Sequence, residues 1–232
     1  MPPSHTGRQP QPGGLLPALQ DYLKAIHRLT EGSGRQDRAS TKAIAAELGV
    51  TAPSVSAMLD RMASQRLVDY VHYAGASLTP RGRRAALRVI RRHRLVELFL
   101  VRQLGLGWEE VHDEAERLEH VISDRLEAAI DAALGFPDRD PHGDAIPDAE
   151  GRLPARSFRT LWNAAPGAQV RIDRVRDMDP ELLRHLGQAG IVPGAVVSVV
   201  SRESGGAIRL KIGRRRPSVI GREAAEQVYL DG

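Results

Sequence analysis

Four side chains in one short stretch, His112, Glu116, Glu119 and His120, are of the types that hold divalent cations. On a helix turning about 100° per residue, with His112 set at zero, the other three fall at about 40°, −20° and 80°. Two imidazoles and two carboxylates thus share one face. Upstream, His93 and Glu97 stand four residues apart and so side by side on a preceding helix. Antiparallel packing across Gly105-Leu-Gly107 would bring the two sets together. Such nitrogen and oxygen donors suit manganese, iron(II), cobalt or zinc. The bland alternative is a solvated His/Glu face of i, i+4 pairs; the second pair at His93/Glu97 weighs against it. A metalloenzyme built on these helices is a further alternative. However, the chain has no HExxH, and a ferritin-like di-iron centre needs Glu-x-x-His on each of two helices, whereas here it occurs once, from Glu109 to His112.

These groups need helices to position them, and the chain supplies the pattern. Leu19, Tyr22, Leu23, Ile26 and Leu29 follow the spacing of one helix face between Pro17 and Thr30. A second helix opens at the N-cap Ser40 and stops at Gly49, and a third starts at about Pro53, the first-position proline. Leu67 to Tyr73 alternates like a strand, with Gly75 as the turn and a return through Leu78. Helix, tight turn, helix, hairpin is the order of a winged helix-turn-helix. Ala45, Gly49 and Val55 fill the crossing, turn and anchor places. Thr51, Pro53, Ser54, Ser56 and Ala57 then stand at the start of the reading helix, able to reach phosphates or base edges. Lys42, Arg61, Arg66, Arg81, Arg83 and Arg84 are the candidate phosphate contacts.

Beyond Pro80 the pattern gives an Arg-rich helix to Leu104 and a second long helix from Trp108 to Leu134. Leu87, Ile90, Leu95, Leu98, Leu118, Val121, Leu126 and Ile130 are expected to supply its core and a dimer contact. Residues 135–154, rich in proline, glycine and aspartate, read as a linker or irregular loop. Val170–Val175, Ala195–Val200, Ala207–Ile212 and Gln227–Leu230 read as short strands of a small β-barrel, with one or two helical turns from Pro180.

Charge is unevenly distributed along the 232 residues. Residues 40–104 carry eleven basic and four acidic side chains, and residues 105–154 carry four and fourteen. That asymmetry suggests phosphate neutralisation in the first block and cation binding in the second. The absence of cysteine excludes a disulfide framework, a thiolate zinc site and a cysteine nucleophile, and fits a reducing compartment. No stretch approaches the roughly 18 apolar residues of a membrane span, and the first residues lack a signal peptide's apolar core. A cytoplasmic protein without membrane contact is expected.

The segments His93-Arg-Leu-Val-Glu-Leu-Phe-Leu100, Val111 through Asp124 and Pro141-His-Gly-Asp-Ala-Ile-Pro147 resemble the diphtheria-toxin-repressor (DtxR/MntR) family of iron- and manganese-dependent transcriptional regulators. The resemblance covers about residues 15–230. It implies an α+β protein: a tail at 1–14, a winged helix-turn-helix DNA-binding domain at 15–79, a helical dimerisation and metal-binding domain at 80–147, a linker at 148–165, and an SH3-like (FeoA-like) domain at 166–232. It also implies a homodimer on a double-stranded operator, and no enzymatic activity. His93, Glu97 and His112 match the family's ancillary metal site. Glu116, Glu119 and His120, with Asp21 from the first helix, match its primary site. A further ancillary ligand is expected in the SH3-like domain, with Asp177, Asp179 and Glu181 as candidates.

Departures from the family pattern refine that expectation. Glu116 stands where the iron-responsive branch has a sulfur ligand, and Asp21 where it has methionine; two hard carboxylates favour Mn²⁺ over Fe²⁺ or another divalent metal. Lys24 stands where the small manganese branch carries a second helix-one carboxylate. Ala57 replaces a glutamine on the reading helix, leaving at most a methyl contact to thymine. The sequence thus reads as a manganese-responsive repressor of metal-uptake genes, with an iron- or zinc-responsive regulator of the same fold as the rival.

Overall fold

The computed structural model describes residues 15–31, 38–176, 179–203 and 205–231. The expected tail at 1–14 and the candidate ligand Asp177 lie outside them. The chain forms two compact units, divided in sequence after Ala86.

The first unit holds α1 (Pro17–Thr30), α2 (Thr41–Leu48), α3 (Ala52–Ser64) and a hairpin of β1 (Val68–Val71) and β2 (Gly75–Leu78). Leu19, Leu23 and Ile26 of α1 bury against Ile44, Val55, Leu59 and Met62, so one apolar stripe per helix closes the core. Ser40 accepts a hydrogen bond from Ala43 N and starts α2, and Gly49, with φ at 64°, ends it. The third helix begins at Ala52 with Thr51 as its N-cap, which makes Pro53 the second helical residue rather than the first.

Gly75 is not the hairpin turn. His72, Tyr73 and Ala74 make the turn, while Gly75 opens β2 opposite Val71. The reason lies outside the hairpin. Ala39 pairs with Ala76 through both backbone bonds, so an extra stretch of backbone runs along β2. With φ at 96°, Gly75 faces Ala39 O so closely that a Cβ would come within 3.0 Å of it. Gly75→Ala should therefore destabilise the winged-helix unit by about 2 kcal/mol or more, from positive φ and the backbone clash together. A thermal melt of the variant checks this; an unchanged midpoint would contradict it.

The second unit takes in most of α4 (Pro80–Leu104), then α5 (Val111–Leu118) and α6 (Asp124–Ala133). The single helix expected from Trp108 to Leu134 is two, because Ser123 caps a new helix by accepting from Leu126 N. Glu119 ends α5 and His120 lies in the intervening turn. The helical wheel thus held for His112 and Glu116 but not for the last two ligand candidates. Leu95 and Leu98 of α4 bury against Ile130 and Leu134 of α6. Val96 and Leu100 bury against Val111, Ala115 and Ile122. Of the residues assigned to core or dimer contact, Leu87, Ile90, Leu95, Leu98 and Ile130 are buried, whereas Leu118, Val121 and Leu126 are exposed.

Arginines on α4 are spent inside this unit. Arg91 pairs with Glu127 at 3.2 Å and Asp131 at 2.5 Å, Arg92 with Glu127 at 2.8 Å, and Arg94 with Asp140 at 3.4 Å. Much of the basic and acidic asymmetry therefore neutralises itself between neighbouring elements, which corrects its assignment to phosphate and cation alone.

Of the two readings of residues 135–154, linker or irregular loop, residues 139–147 take the second, as an ordered loop. Asp140 Oδ1 accepts from His142 N and Asp144 N, both at 2.9 Å, and folds the loop back on itself. The loop then docks on β3, where Val175 N donates to His142 O. The C-terminal part is a five-stranded antiparallel sheet in the order β6-β5-β4-β3-β7, with β3 Gln169–Val175, β4 Val196–Glu203, β5 Ala207–Ile212, β6 Ser218–Gly221 and β7 Val228–Leu230. Strand β6 was not legible in the sequence. Helix α7 (Pro180–Ala189) is longer than the one or two turns expected, and α8 (Arg222–Glu226) precedes β7.

Candidate metal centres and DNA-facing surface

On α4, His93, Val96, Glu97 and Leu100 share one arc, so the packing that buries Val96 and Leu100 against α5 also aims His93 and Glu97 at it. His93 Nε2 lies 3.0 Å from Glu97 Oε1 and 3.2 Å from His112 Nδ1, and His112 Nδ1 lies 3.3 Å from Glu97 Oε1. On its other side, His93 Nδ1 donates to Glu119 Oε2 at 2.6 Å. With that proton on Nδ1, the Nε2 lone pair, a carboxylate oxygen and a second imidazole nitrogen converge on one point. Three acceptors this close require a proton or a cation among them, and the donor set of two imidazoles and a carboxylate fits a transition metal.

Glu116, Glu119 and His120 form an adjoining group whose donor atoms lie within 4.8 Å of one another. His120 Nε2 is 3.5 Å from Glu119 Oε1, and Glu116 Oε1 is 3.8 Å from both His93 Nδ1 and His112 Nε2. Glu119 is fully buried, so its carboxylate serves His93 with one oxygen and faces His120 with the other. The structure therefore brings His93, Glu97, His112, Glu116, Glu119 and His120 into one continuous polar cluster. Asp21 belongs to the first unit, on α1.

A third group escaped the sequence reading. Glu97, Asp140 and His142 are all buried and bring donor atoms within 4.8 Å of one another. His142 Nε2 donates to the Trp108 carbonyl at 2.7 Å, and because a carbonyl only accepts, the ring proton is on Nε2. Nδ1 then faces Glu97 Oε2 at 3.7 Å, and that carboxylate oxygen is buried without a hydrogen bond. Trp108 stacks on the His142 ring, 5.7 Å between centroids, and fixes its plane. The available signal was the histidine flanked by carboxylates in the Pro141-His-Gly-Asp run, masked by its Pro/Gly-rich setting.

Electrostatics divides the two carboxylates of this group. Burial pushes Glu97 up, but the imidazoles packed around it, His93 foremost, outweigh that and hold it well below the usual range. Asp140 goes the other way. Burial first, then the neighbouring Asp144 and Glu97 charges, push it up to about 8 against the opposing pull of Arg94 and His142. Asp179 is committed elsewhere: its Oδ1 caps α7, accepting from Glu181 N at 2.9 Å and Leu182 N at 3.1 Å. Neither Asp179 nor Glu181 joins any ligand cluster among the described residues.

In the first unit, Lys42, Thr51, Pro53, Ser54, Ala57, Arg61, Arg66, Arg81, Arg83 and Arg84 are exposed, and Ser56 is half-buried. Thr51 Oγ1 and Ser54 Oγ hydrogen-bond each other at 2.9 Å, which fixes the first turn of α3. Tyr70 of the hairpin donates to Ser56 Oγ at 3.5 Å, a contact between wing and reading helix absent from the sequence reading. Arg83 also pairs with Glu31 at 3.6 Å.

Comparison with known proteins gives a consistent result. The chain matches the family profiles "Iron dependent repressor, N-terminal DNA binding domain" over residues 14–76, "Iron dependent repressor, metal binding and dimerisation domain" over 79–148, and "FeoA domain" over 159–231. It is similar to the iron-dependent repressor IdeR of Mycobacterium tuberculosis, 34% identical over 205 residues, covering 83% of this chain and 87% of the relative. It is also similar to the diphtheria toxin repressor of Corynebacterium diphtheriae, 31% identical over 199 residues, covering 82% and 87%. Among solved structures, a manganese-dependent transcriptional repressor in complex with manganese superposes with a TM-score of 0.84 at 45% identity, covering 91% of this chain and 98% of that one. ScaR with bound Cd²⁺ gives 0.76 at 30% identity, covering 92% and 98%.

Proposed function

This chain belongs to the diphtheria-toxin-repressor family of metal-dependent transcriptional repressors, and from that premise we propose that it is a manganese-responsive repressor of metal-uptake genes. It is a DNA-binding regulator with a winged-helix domain, a helical metal-binding domain and a FeoA-type sheet domain, and not an enzyme. No helix among the described residues is long and apolar enough to cross a membrane; the proposed place of action is the cytoplasm.

The observation that carries the metal reading is the convergence of His93 Nε2, Glu97 Oε1 and His112 Nδ1 within 3.3 Å, a donor set that a divalent cation fits. His93, Glu97 and His112 hold one ion, and Glu116, Glu119 and His120, joined by Asp21 on the motif match, hold the other. Glu97 Oε2, Asp140 and His142 extend the first site toward the sheet domain. A bound divalent ion supplies fixed positive charge that offsets the carboxylates gathered there. With Asp21 a ligand, donors from both units are satisfied together in one arrangement only, so metal occupancy and DNA affinity become linked equilibria.

Manganese is favoured because every donor in the primary set is oxygen or imidazole nitrogen, and Glu116 stands where a sulfur would select softer ions. The manganese-complexed structural relative, at 45% identity, points the same way. Homodimerisation is proposed through the exposed apolar side chains of Leu118, Val121 and Leu126. Two reading helices about a two-fold axis would then meet a pseudo-palindromic operator.

The test is a gel-shift titration against Mn²⁺, Fe²⁺ and Zn²⁺ at matched free concentrations. Retention of operator by Mn²⁺ at lower free concentration than by Fe²⁺ is expected; the reverse order would assign the chain to iron. Glu116→Cys should reverse the ranking toward Zn²⁺ and weaken the Mn²⁺ response by about tenfold or more. Unchanged ranking in that variant would place selectivity at another residue.

A further inference from the structure

The sheet domain carries a cationic turn that the metal and operator readings do not use. Residues 205–222 contain six basic side chains, Arg209, Lys211, Arg214, Arg215, Arg216 and Arg222, and no carboxylate. Four of them cluster at the end of the hairpin formed by β5 and β6, at the edge of the five-stranded sheet, and Lys211, Arg214, Arg215 and Arg216 are exposed. Arg209 and Arg222 are neutralised by Glu203 and Glu226 at 2.8 and 2.7 Å. Arg215 lies at the C-terminal end of α7 and donates to the Gln188 carbonyl at 3.2 Å. Lys211, Arg214 and Arg216 have no carboxylate partner among the described residues.

Elsewhere in this unit Arg91, Arg94, Arg139 and Arg174 each face a carboxylate, and the exposed arginines Arg102, Arg125, Arg159 and Arg176 stand singly along the chain rather than together on one turn. Like charges crowded on one turn repel each other, and a polyanion relieves that repulsion. The aromatic rings of the domain indicate which polyanion. Unstacked bases need an open ring face to stack on. Of the three rings in residues 155–232, Trp162 lies under Arg202 at 4.4 Å and Arg222 at 5.2 Å, and Arg174 lies over Phe158 at 5.8 Å and Tyr229 at 4.0 Å. None of these rings belongs to the Lys211–Arg216 turn, and each already has a guanidinium against it, so the turn itself offers charge without a stacking platform. Backbone phosphates of a duplex match it.

We propose that the Lys211–Arg216 turn of the sheet domain is a second, sequence-independent contact for double-stranded DNA. It rests on the reading of the chain as an operator-binding regulator, because a duplex held by the winged helix is presented to the tethered sheet domain at high effective concentration. The turn adds affinity through counterion release and leaves sequence preference to the reading helix.

The experiment uses the full chain with saturating Mn²⁺ and compares wild type with Lys211→Ala/Arg214→Ala/Arg216→Ala, leaving Arg215 in place. Affinity for an operator duplex, a random duplex and a single-stranded oligonucleotide is measured across a salt series. Loss of three cations should lower the log–log salt slope by about 2 to 3 for both duplexes and weaken both in equal proportion, with the metal midpoint unchanged. Arg214→Gln/Arg216→Gln should lower the slope by about 2, and Arg214→Lys/Arg216→Lys should restore it. An unchanged slope in both neutral variants, or an effect confined to the single strand, overturns the proposal alone. Failure of the wild type to retain any duplex with any metal overturns both this proposal and the regulator reading.

Discussion

In the Glu119→Gln variant, metal-stimulated operator binding is expected to fall by at least about 100-fold while the fold is retained. The substitution keeps side-chain volume and removes only charge. In the native chain Glu119 Oε2 accepts the His93 Nδ1 proton at 2.6 Å and Oε1 faces His120 Nε2 at 3.5 Å. One carboxylate is therefore both a ligand candidate and the group that fixes the His93 ring with Nε2 toward Glu97 and His112. An amide either turns its NH₂ toward His93, losing the proton acceptor, or toward His120, losing the anionic donor. Both outcomes weaken cation binding. Calorimetric metal titration and gel shifts on Glu119→Gln and His120→Ala, with a thermal melt as the folding control, decide the matter. Unchanged metal affinity in both variants would remove these residues from the metal centre.

Glu97→Gln is the second large effect, expected to weaken the binding of one class of ion by about 10- to 100-fold. Glu97 is fully buried and points its two oxygens at different partners, Oε1 at His93 and His112 and Oε2 toward His142 at 3.7 Å. Neutralising it removes the anion common to both groups. Metal-induced stabilisation should shrink accordingly, since an ion at 100 times its dissociation constant adds about 2.7 kcal/mol of stability. The measurement is stoichiometry by calorimetry together with the melting shift on adding Mn²⁺. His112→Ala and His142→Ala, tested in parallel, separate the two groups that share this carboxylate. If Glu97→Gln binds as many ions as the wild type, with the same melting shift, Glu97 is a structural anion among histidines and not a ligand.

Local pattern made much of this molecule legible. The apolar stripe of α1, the caps at Ser40 and Gly49, and the His93-to-Glu97 spacing each depend on residues within a turn or two of one another, and each stands in the structure as read. Where local rules competed, the reading slipped. A histidine and glutamate rhythm suggested one helix through His120, yet Ser123 stops it by capping the next, so Glu119 and His120 reach their partners from a turn. Gly75 looked like a turn residue because glycine usually marks one. Its actual constraint is Ala39, a residue distant in sequence.

The sequence by itself determined which chemistry is available: imidazole and carboxylate donors without a thiolate, a helix-turn-helix followed by a hairpin, and a basic block before an acidic one. These follow from residue type and periodicity, which need no knowledge of what lies across the core. Only the tertiary structure decided how the charges are used. Arg91, Arg92 and Arg94 belong to the basic block whose charge suggested phosphate neutralisation, but α4 turns them onto Glu127, Asp131 and Asp140, so they hold elements together. His142 stood in a stretch that read as a linker or irregular loop, and only the fold set it beside Trp108 and Glu97. Arg214 and Arg216 are arginines like the others in sequence, and the fold gives them no carboxylate among the described residues. Electrostatic energy depends on distance in space, and pairings between residues tens of positions apart are fixed only when the core has packed.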